Sequence, residues 1–222
     1  MSSATPNPVV ISYYSDLLCV WAYVSQIRID ELRHQFHEQV HIQARLCSVF
    51  ADVGTKLAQG WKDRGGVAGY RAHVEQTIAR FPHVALHAAT WTRTVPTTSA
   101  TGHACIKAAA LVDADAAERL AWALRLAFFR DGRDVSRLDV QLAVVEELGL
   151  KPDAVRARLE DGSAWAAVLS DYDEATTEHV RGSPTFVLNE RRQILYGNVG
   201  YKIIEANVLE LLHHPEGQAS WC

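Results

Sequence analysis

Apolar and polar positions at the start of the chain alternate in a way that predicts a strand, a helix and a second strand. β-Branched and aromatic residues fill "PVVISYY" at 8–14, which indicates a buried strand. From Val20, apolar residues recur at helical spacing to about Phe36, and "HIQARLCSVF" at 41–50 predicts the second strand. Two strands joined through a helical crossover should be parallel.

The middle of the chain has a different pattern. Residues 51–66 are rich in glycine and polar groups and predict a loop or an irregular helix, whereas 67–169 is compatible with helix almost throughout. The strongest helix is "AAERLAWALRLAFFRD" at 116–131, with Gly132 directly after it as a stop signal. About a hundred residues therefore carry no strand signal.

Strand patterns return near the end of the chain. The segment "PTFVLNERRQILYG" at 184–197 predicts a hairpin around its polar turn, and "YKIIEANVLELL" at 201–212 predicts a closing amphipathic helix. The order βαβ, helices, ββα predicts an α/β fold with an inserted all-helical subdomain. We assign 1–55 and 170–222 to the α/β domain and 56–169 to the insertion.

Composition excludes several function classes. The 222 residues are 48% hydrophobic and 22% charged with a formal net charge of −4, which argues against nucleic acid or a membrane surface as a partner. No apolar run approaches the roughly 20 residues of a membrane helix, and the first residues lack a secretory signal, so we expect a cytoplasmic protein. The cysteines lack zinc-type spacing, so we expect free thiols and no metal or bound cofactor; they are Cys19, Cys47, Cys105 and Cys222.

Cys19 is the leading candidate for chemistry, because it stands in "SDLLCVWAY" where the first strand passes into the first helix. The N–H groups and the dipole of an opening helix favour a thiolate, which is the nucleophilic form. Asp16 would oppose this effect if its carboxylate pointed at the sulfur. The alternative is that Cys19 is a small buried apolar residue, as we expect for Cys47 and Cys105.

The second candidate segment is "RGSPTFVLN" at 181–189. A proline that opens a strand removes a ladder donor and belongs at a strand start or an edge. A cis Ser183–Pro184 bond would turn the backbone of Ser183 toward a neighbouring loop, and an ordinary trans bond is the alternative.

Taken together, these segments and the topology resemble the DsbA-like branch of the thioredoxin superfamily, in which helices interrupt a thioredoxin fold. "SDLLCVWAY" is similar to its Asp-x-x-Cys-Pro-Trp-Cys-Tyr active site and "GSPTFVLN" to its cis-proline loop, with FrnE-type oxidoreductases nearest in pattern. Kappa-class glutathione transferases and 2-hydroxychromene-2-carboxylate isomerases share this architecture. Two positions depart from the dithiol pattern, because Val20 replaces the proline and Ala22 replaces the resolving cysteine.

The resemblance implies a role for each matching residue. Cys19 matches the attacking cysteine, and Pro184 matches the cis proline. The backbone of Ser183 would pair with a bound peptide or glutathione, and Trp21 and Asp16 match the motif residues around the thiol.

With alanine at 22, Cys19 could attack a disulfide, but no neighbouring sulfur could release it. The first hypothesis is therefore a DsbA/FrnE-like thiol–disulfide oxidoreductase that relies on an external thiol, such as glutathione, or on a distant one, such as Cys222. The alternatives are a kappa-like glutathione transferase or isomerase acting on a small electrophile, and a non-catalytic thioredoxin-fold binding protein. A homodimer is compatible with each of them.

Overall fold

A computed structural model of the chain describes residues 7–214 and 220. Its sheet has four strands in the order β2-β1-β3-β4. These are β1 (Val9–Ser15), β2 (Val40–Leu46), β3 (Thr185–Leu188) and β4 (Gln193–Tyr196). Strands β1 and β2 are parallel, whereas β3 is antiparallel to both β1 and β4. The predicted strands, their crossover and the hairpin are confirmed.

Nine α-helices are described, and seven of them lie between β2 and β3 along the sequence. They are α1 (Val20–Phe36), α2 (Val53–Gly60), α3 (Gly66–Ile78), α4 (Ala100–Val112), α5 (Ala116–Phe129), α6 (Leu138–Glu147), α7 (Pro152–Glu160), α8 (Ser163–Thr177) and α9 (Tyr201–His213). Short 3-10 turns lie at His37–Gln39 and Lys62–Arg64. The predicted subdomain limits, 56 and 169, fall inside α2 and α8, and these limits stay a prediction.

One stretch of the helical region differs from the sequence prediction. Residues 79–99 form turns and an isolated bridge between Thr90 and Thr94 instead of a helix. Trp91 lies in this stretch with a φ of 58° and is almost completely buried, packing edge-on against Phe128. Burial of this large ring fixes an irregular backbone that helical spacing alone does not reveal.

The helices and the start of α1 share one apolar core. Leu17, Leu18 and Cys19 belong to the same buried cluster as Phe128 of α5. Gly102 of α4 allows this close packing, because a Cβ there would lie 2.4 Å from a methyl carbon of Leu17. The segment that carries Cys19 is therefore held between the sheet and the helices.

Within the described part of the chain, no helix is both long enough and apolar enough to cross a membrane.

Candidate active site

Cys19 occupies the position before the first turn of α1. Its backbone is extended, with φ −79° and ψ 117°, and its carbonyl accepts the N–H of Tyr23 at 3.1 Å. The backbone N–H groups of Trp21 and Ala22 in the first turn lower the pKa of the Cys19 thiol, although the helix start contains no capping hydrogen bond to the Cys19 side chain. The helix start thus acts on Cys19 as the sequence predicts.

The loop before β3 faces Cys19 directly. The Ser183–Pro184 peptide bond is cis. The Cys19 thiol donates a hydrogen bond to the Ser183 carbonyl oxygen, with 3.2 Å between Sγ and O, and the Ser183 hydroxyl oxygen accepts the backbone N–H of Asp16 at 2.9 Å. The structure therefore brings together Cys19, Ser183 and Pro184, which are far apart in the sequence.

The net pKa of the Cys19 thiol is raised above its ordinary value. Burial is the largest cause, since the residue is only 5% exposed, and the Asp16 charge adds to it. Ser183 and the first-turn N–H groups of α1 lower the pKa but do not outweigh burial. The expectation of an increased thiolate fraction is therefore wrong in its net direction, because the sequence does not reveal how deeply the sulfur is buried.

Asp16 fixes the loops around the thiol. Its side chain is 0% exposed, and one carboxylate oxygen accepts the Leu18 N–H at 2.9 Å. The other oxygen accepts the N–H groups of Val49 and Phe50, at 3.0 and 2.8 Å, and the Ser99 hydroxyl at 2.8 Å. In this conformation the carboxylate is buried and occupied by four donors, and substrate contact by Asp16 stays a prediction.

His103 adds a further buried hydrogen bond to the loop that contains Asp16, a role that its sequence position did not predict. Its Nε2 accepts the Leu17 N–H at 3.0 Å, so Nδ1 carries the proton and donates to the Tyr172 hydroxyl at 2.7 Å. Burial lowers the pKa of His103, which agrees with a neutral ring. A histidine on an alanine-rich helix was the only sequence signal for this contact.

Cys47 is buried in a small apolar cluster beside the candidate site, which fits its expected role as core filler, but it lies outside the second strand. Strand β2 ends one residue earlier, and the Cys47 N–H donates to the Ser15 carbonyl oxygen at 3.2 Å. The Ser183 side chain lowers the pKa of Cys47 as well as that of Cys19, but burial raises the pKa of Cys47 well above its ordinary value. Cys105 fits the core-filler prediction, because burial in α4 raises its pKa to about 12.

Trp21 forms the boundary between the thiol and α3. The half-buried indole packs edge-on against His73, with 5.9 Å between ring centroids, and against Phe81 at 6.4 Å. Trp61 also packs against His73, with 5.3 Å between ring centroids. Substrate contact by Trp21 stays a prediction.

Two further predictions concern the tail and metals. Cys222, the possible resolving residue, lies outside the described residues. Among those that are described, no cluster of three or more histidine, cysteine, aspartate or glutamate side chains could hold a metal ion.

Cys19 stands at the start of the first helix and faces a cis-proline loop, which defines a thioredoxin-type thiol site. The helices inserted along the chain between β2 and β3 are typical of a DsbA-like fold. Residues 10–208 match the model of the DSBA-like thioredoxin domain family. The chain belongs to this family. The comparison with curated proteins finds no match.

Solved structures with low sequence identity share the fold. A probable DsbA oxidoreductase from Streptomyces coelicolor is 21% identical, with 96% of this chain and 93% of that chain covered and a TM-score of 0.73. The cytosolic disulfide reductase DsbM from Pseudomonas aeruginosa is 19% identical, with 90% and 98% covered and a TM-score of 0.64. A 2-hydroxychromene-2-carboxylate isomerase is 15% identical, with 95% and 100% covered and a TM-score of 0.63.

Proposed function

We propose that this protein is a thiol–disulfide oxidoreductase that works through Cys19 alone and depends on an external thiol, with glutathione as the thiol to test first. The observation that carries the proposal is the position of the Cys19 sulfur between the first-turn N–H groups of α1 and the Ser183–Pro184 loop. DsbM, which has the same fold, has also been solved with glutathione. We also propose a reducing compartment, since such a compartment supplies this thiol.

The reaction has two exchange steps. The Cys19 thiolate attacks one sulfur of a substrate disulfide, which forms a mixed disulfide and releases the other sulfur as a thiolate. A glutathione thiolate then attacks the substrate sulfur of the mixed disulfide and frees Cys19 as a thiolate. Each step breaks one S–S bond and forms another, so the substrate exchanges one thiol partner for glutathione.

The environment of Cys47, the second thiol at the site, supports an external thiol as the group that releases the mixed disulfide. Burial raises the pKa of Cys47 well above the ordinary value, whereas at Cys19 the first-turn N–H groups of α1 oppose the effect of burial, so Cys47 ionises less readily than Cys19. Ala22 supplies no sulfur in the first turn. An external thiol that reaches the site as a thiolate can attack the mixed disulfide without a contribution from Cys47 or residue 22.

The Ser183 backbone is the proposed contact for the incoming thiol compound. Its carbonyl accepts a hydrogen bond from the Cys19 thiol, while its N–H donates to no acceptor in the described part of the chain. A backbone carbonyl of glutathione or of a peptide could accept that N–H. This contact would place the sulfur of the ligand beside Cys19.

The deciding experiment is mass spectrometry of the reduced protein after incubation with oxidised glutathione. We expect one glutathionyl group, located on Cys19 by peptide mapping and removed by excess reduced glutathione. Cys19→Ser should lose the adduct, and Cys47→Ala should retain it. An unmodified wild-type protein, or an adduct that persists in Cys19→Ser, contradicts the proposal.

One observation favours a second candidate, a glutathione transferase or isomerase. The Cys19 thiol donates to the Ser183 carbonyl and its pKa is raised, so its protonated form could turn this hydrogen bond to a glutathione thiolate instead. Conjugation of glutathione to 1-chloro-2,4-dinitrobenzene, without any adduct at Cys19, would support this candidate in place of the first.

A further inference from the structure

Arg125 of α5 is a buried cation without a carboxylate partner. The residue is 4% exposed, and one of its terminal nitrogens donates to the Ser15 hydroxyl oxygen at 2.8 Å. Its Nε–H has no hydrogen-bond partner, and no described carboxylate lies within ion-pair distance of the guanidinium. A buried charge is costly unless it is paired, so this environment is incomplete as it stands.

Arg125 lines a cavity of about 180 Å³ between the sheet and the helices. The wall is mainly apolar and includes Ile29, Ile42, Ala44, Leu46, Ile106 and Ala110. The other lining cations already have carboxylate partners: Arg33 pairs with Glu118 at 2.5 Å, Arg45 with Glu174 at 3.3 Å, and Lys107 with Asp171 at 2.6 Å. Arg125 is therefore the lining cation that is available to a ligand.

Two hydroxyl groups line the same cavity. Tyr13 and Ser15 are two residues apart on β1, so both side chains face the same side of the sheet. The Tyr13 hydroxyl is buried without a partner, and burial raises its pKa, so it keeps its proton. The Ser15 oxygen accepts from Arg125, which leaves its own proton free to donate.

The groups that await a partner are therefore donors: the Nε–H of Arg125 and the hydroxyl protons of Tyr13 and Ser15. A carboxylate is an acceptor only, and its two oxygens match the planar guanidinium. The apolar wall requires a hydrocarbon body behind the charged group. A cavity of roughly 150 Å³ holds benzene, so this one suits a ligand of about that size with a carboxylate attached.

We propose that this cavity is a binding site for a small monocarboxylic acid, whose carboxylate contacts Arg125, Tyr13 and Ser15 and whose apolar body fills the aliphatic part. The site is separate from the Cys19 thiol, and binding there requires no covalent step.

Isothermal titration calorimetry of the full chain with sodium benzoate tests the proposal, with benzamide as the neutral probe of similar shape. We expect saturable binding of benzoate and much weaker binding of benzamide. Arg125→Met should weaken benzoate binding roughly 10- to 100-fold, the loss expected for a charge-assisted hydrogen bond. Arg119→Met removes an exposed arginine of the same helix and should leave binding unchanged.

Two further variants keep the test decisive if Arg125→Met does not fold. Ala121→Leu narrows the cavity while Arg125 remains, and Tyr13→Phe removes one donor without changing the shape. Each should weaken benzoate binding. Absence of benzoate binding to the wild type, equal binding of benzamide, or unchanged affinity in the cavity variants that fold would overturn the proposal.

Discussion

Replacing Asp16 with asparagine tests whether this one carboxylate fixes the loops around the thiol. Asparagine has nearly the same shape, but an NH₂ group takes the place of one oxygen. In the wild type, one oxygen accepts a single N–H, from Leu18, while the other accepts two N–H groups and the Ser99 hydroxyl. The amide oxygen should take the side with three donors, which places the NH₂ against the Leu18 N–H.

The expected loss of stability follows from these contacts. The three remaining hydrogen bonds lose a charged acceptor, which costs about 1 kcal/mol each, and the buried Leu18 N–H left without a partner costs about 1–3 kcal/mol. Removal of a buried charge offsets part of this sum. We expect Asp16→Asn to lower the free energy of unfolding by about 2–4 kcal/mol, or the melting temperature by roughly 5–15 °C in a chain of this length.

Urea denaturation followed by circular dichroism measures the change. The matched control is Asp139→Asn, an exposed carboxylate whose partner Arg137 is also exposed, and it should stay within about 0.5 kcal/mol of the wild type. A second readout has the opposite sign: because the Asp16 charge raises the pKa of Cys19, Asp16→Asn should speed alkylation of Cys19 at neutral pH. An Asp16→Asn protein as stable as the control would refute the role assigned to these hydrogen bonds.

Three other outcomes are expected. Iodoacetamide alkylation of Cys19 should accelerate with rising pH and give an apparent pKa above the free-cysteine value of about 8.5, since burial raises it; a lower value would contradict the effect assigned to burial. Ala22→Cys should form a 19–22 disulfide under mild oxidation and gain insulin-reducing activity, and failure to form it would undermine the match to a dithiol motif. Truncation after Gly217 should leave thiol-dependent release of a Cys19 mixed disulfide unchanged, whereas slower release would make Cys222 the resolving residue.

The parts of the fold that depend on local pattern were predictable. Strand β1, its crossover through α1 and the hairpin of β3 and β4 follow from apolar periodicity and turn residues, and the structure confirms them. Cys19 and Pro184 were selected because their segments resemble a known family. The structure shows what that resemblance leaves open, which is the hydrogen bond that joins Cys19 to Ser183.

The contacts of Asp16 were not predictable, because its partners come from three separate segments. Val49 and Phe50 follow β2, and Ser99 precedes α4, so no spacing within one segment brings them to the same carboxylate. The net direction of the Cys19 pKa shift was not predictable either, because it depends on opposing effects of burial, neighbouring donors and charge. Each effect can be named from the sequence, but their balance requires the packed structure.

The sequence carries one signal for the cavity around Arg125, which is the position of this charge on the apolar face of α5. Arg125 lies four residues after Ala121 and four before Phe129, so all three fall on one face of α5. A charge on the apolar face of a helix needs a partner once it is buried, and the structure supplies only the Ser15 hydroxyl. The residue directly after β1, Asp16, belongs to the loop of the thiol site and donates its N–H to the Ser183 hydroxyl oxygen. Ser15, at the end of β1, therefore contacts Arg125 in the cavity, while Asp16, directly after it, contacts Ser183 at the thiol site.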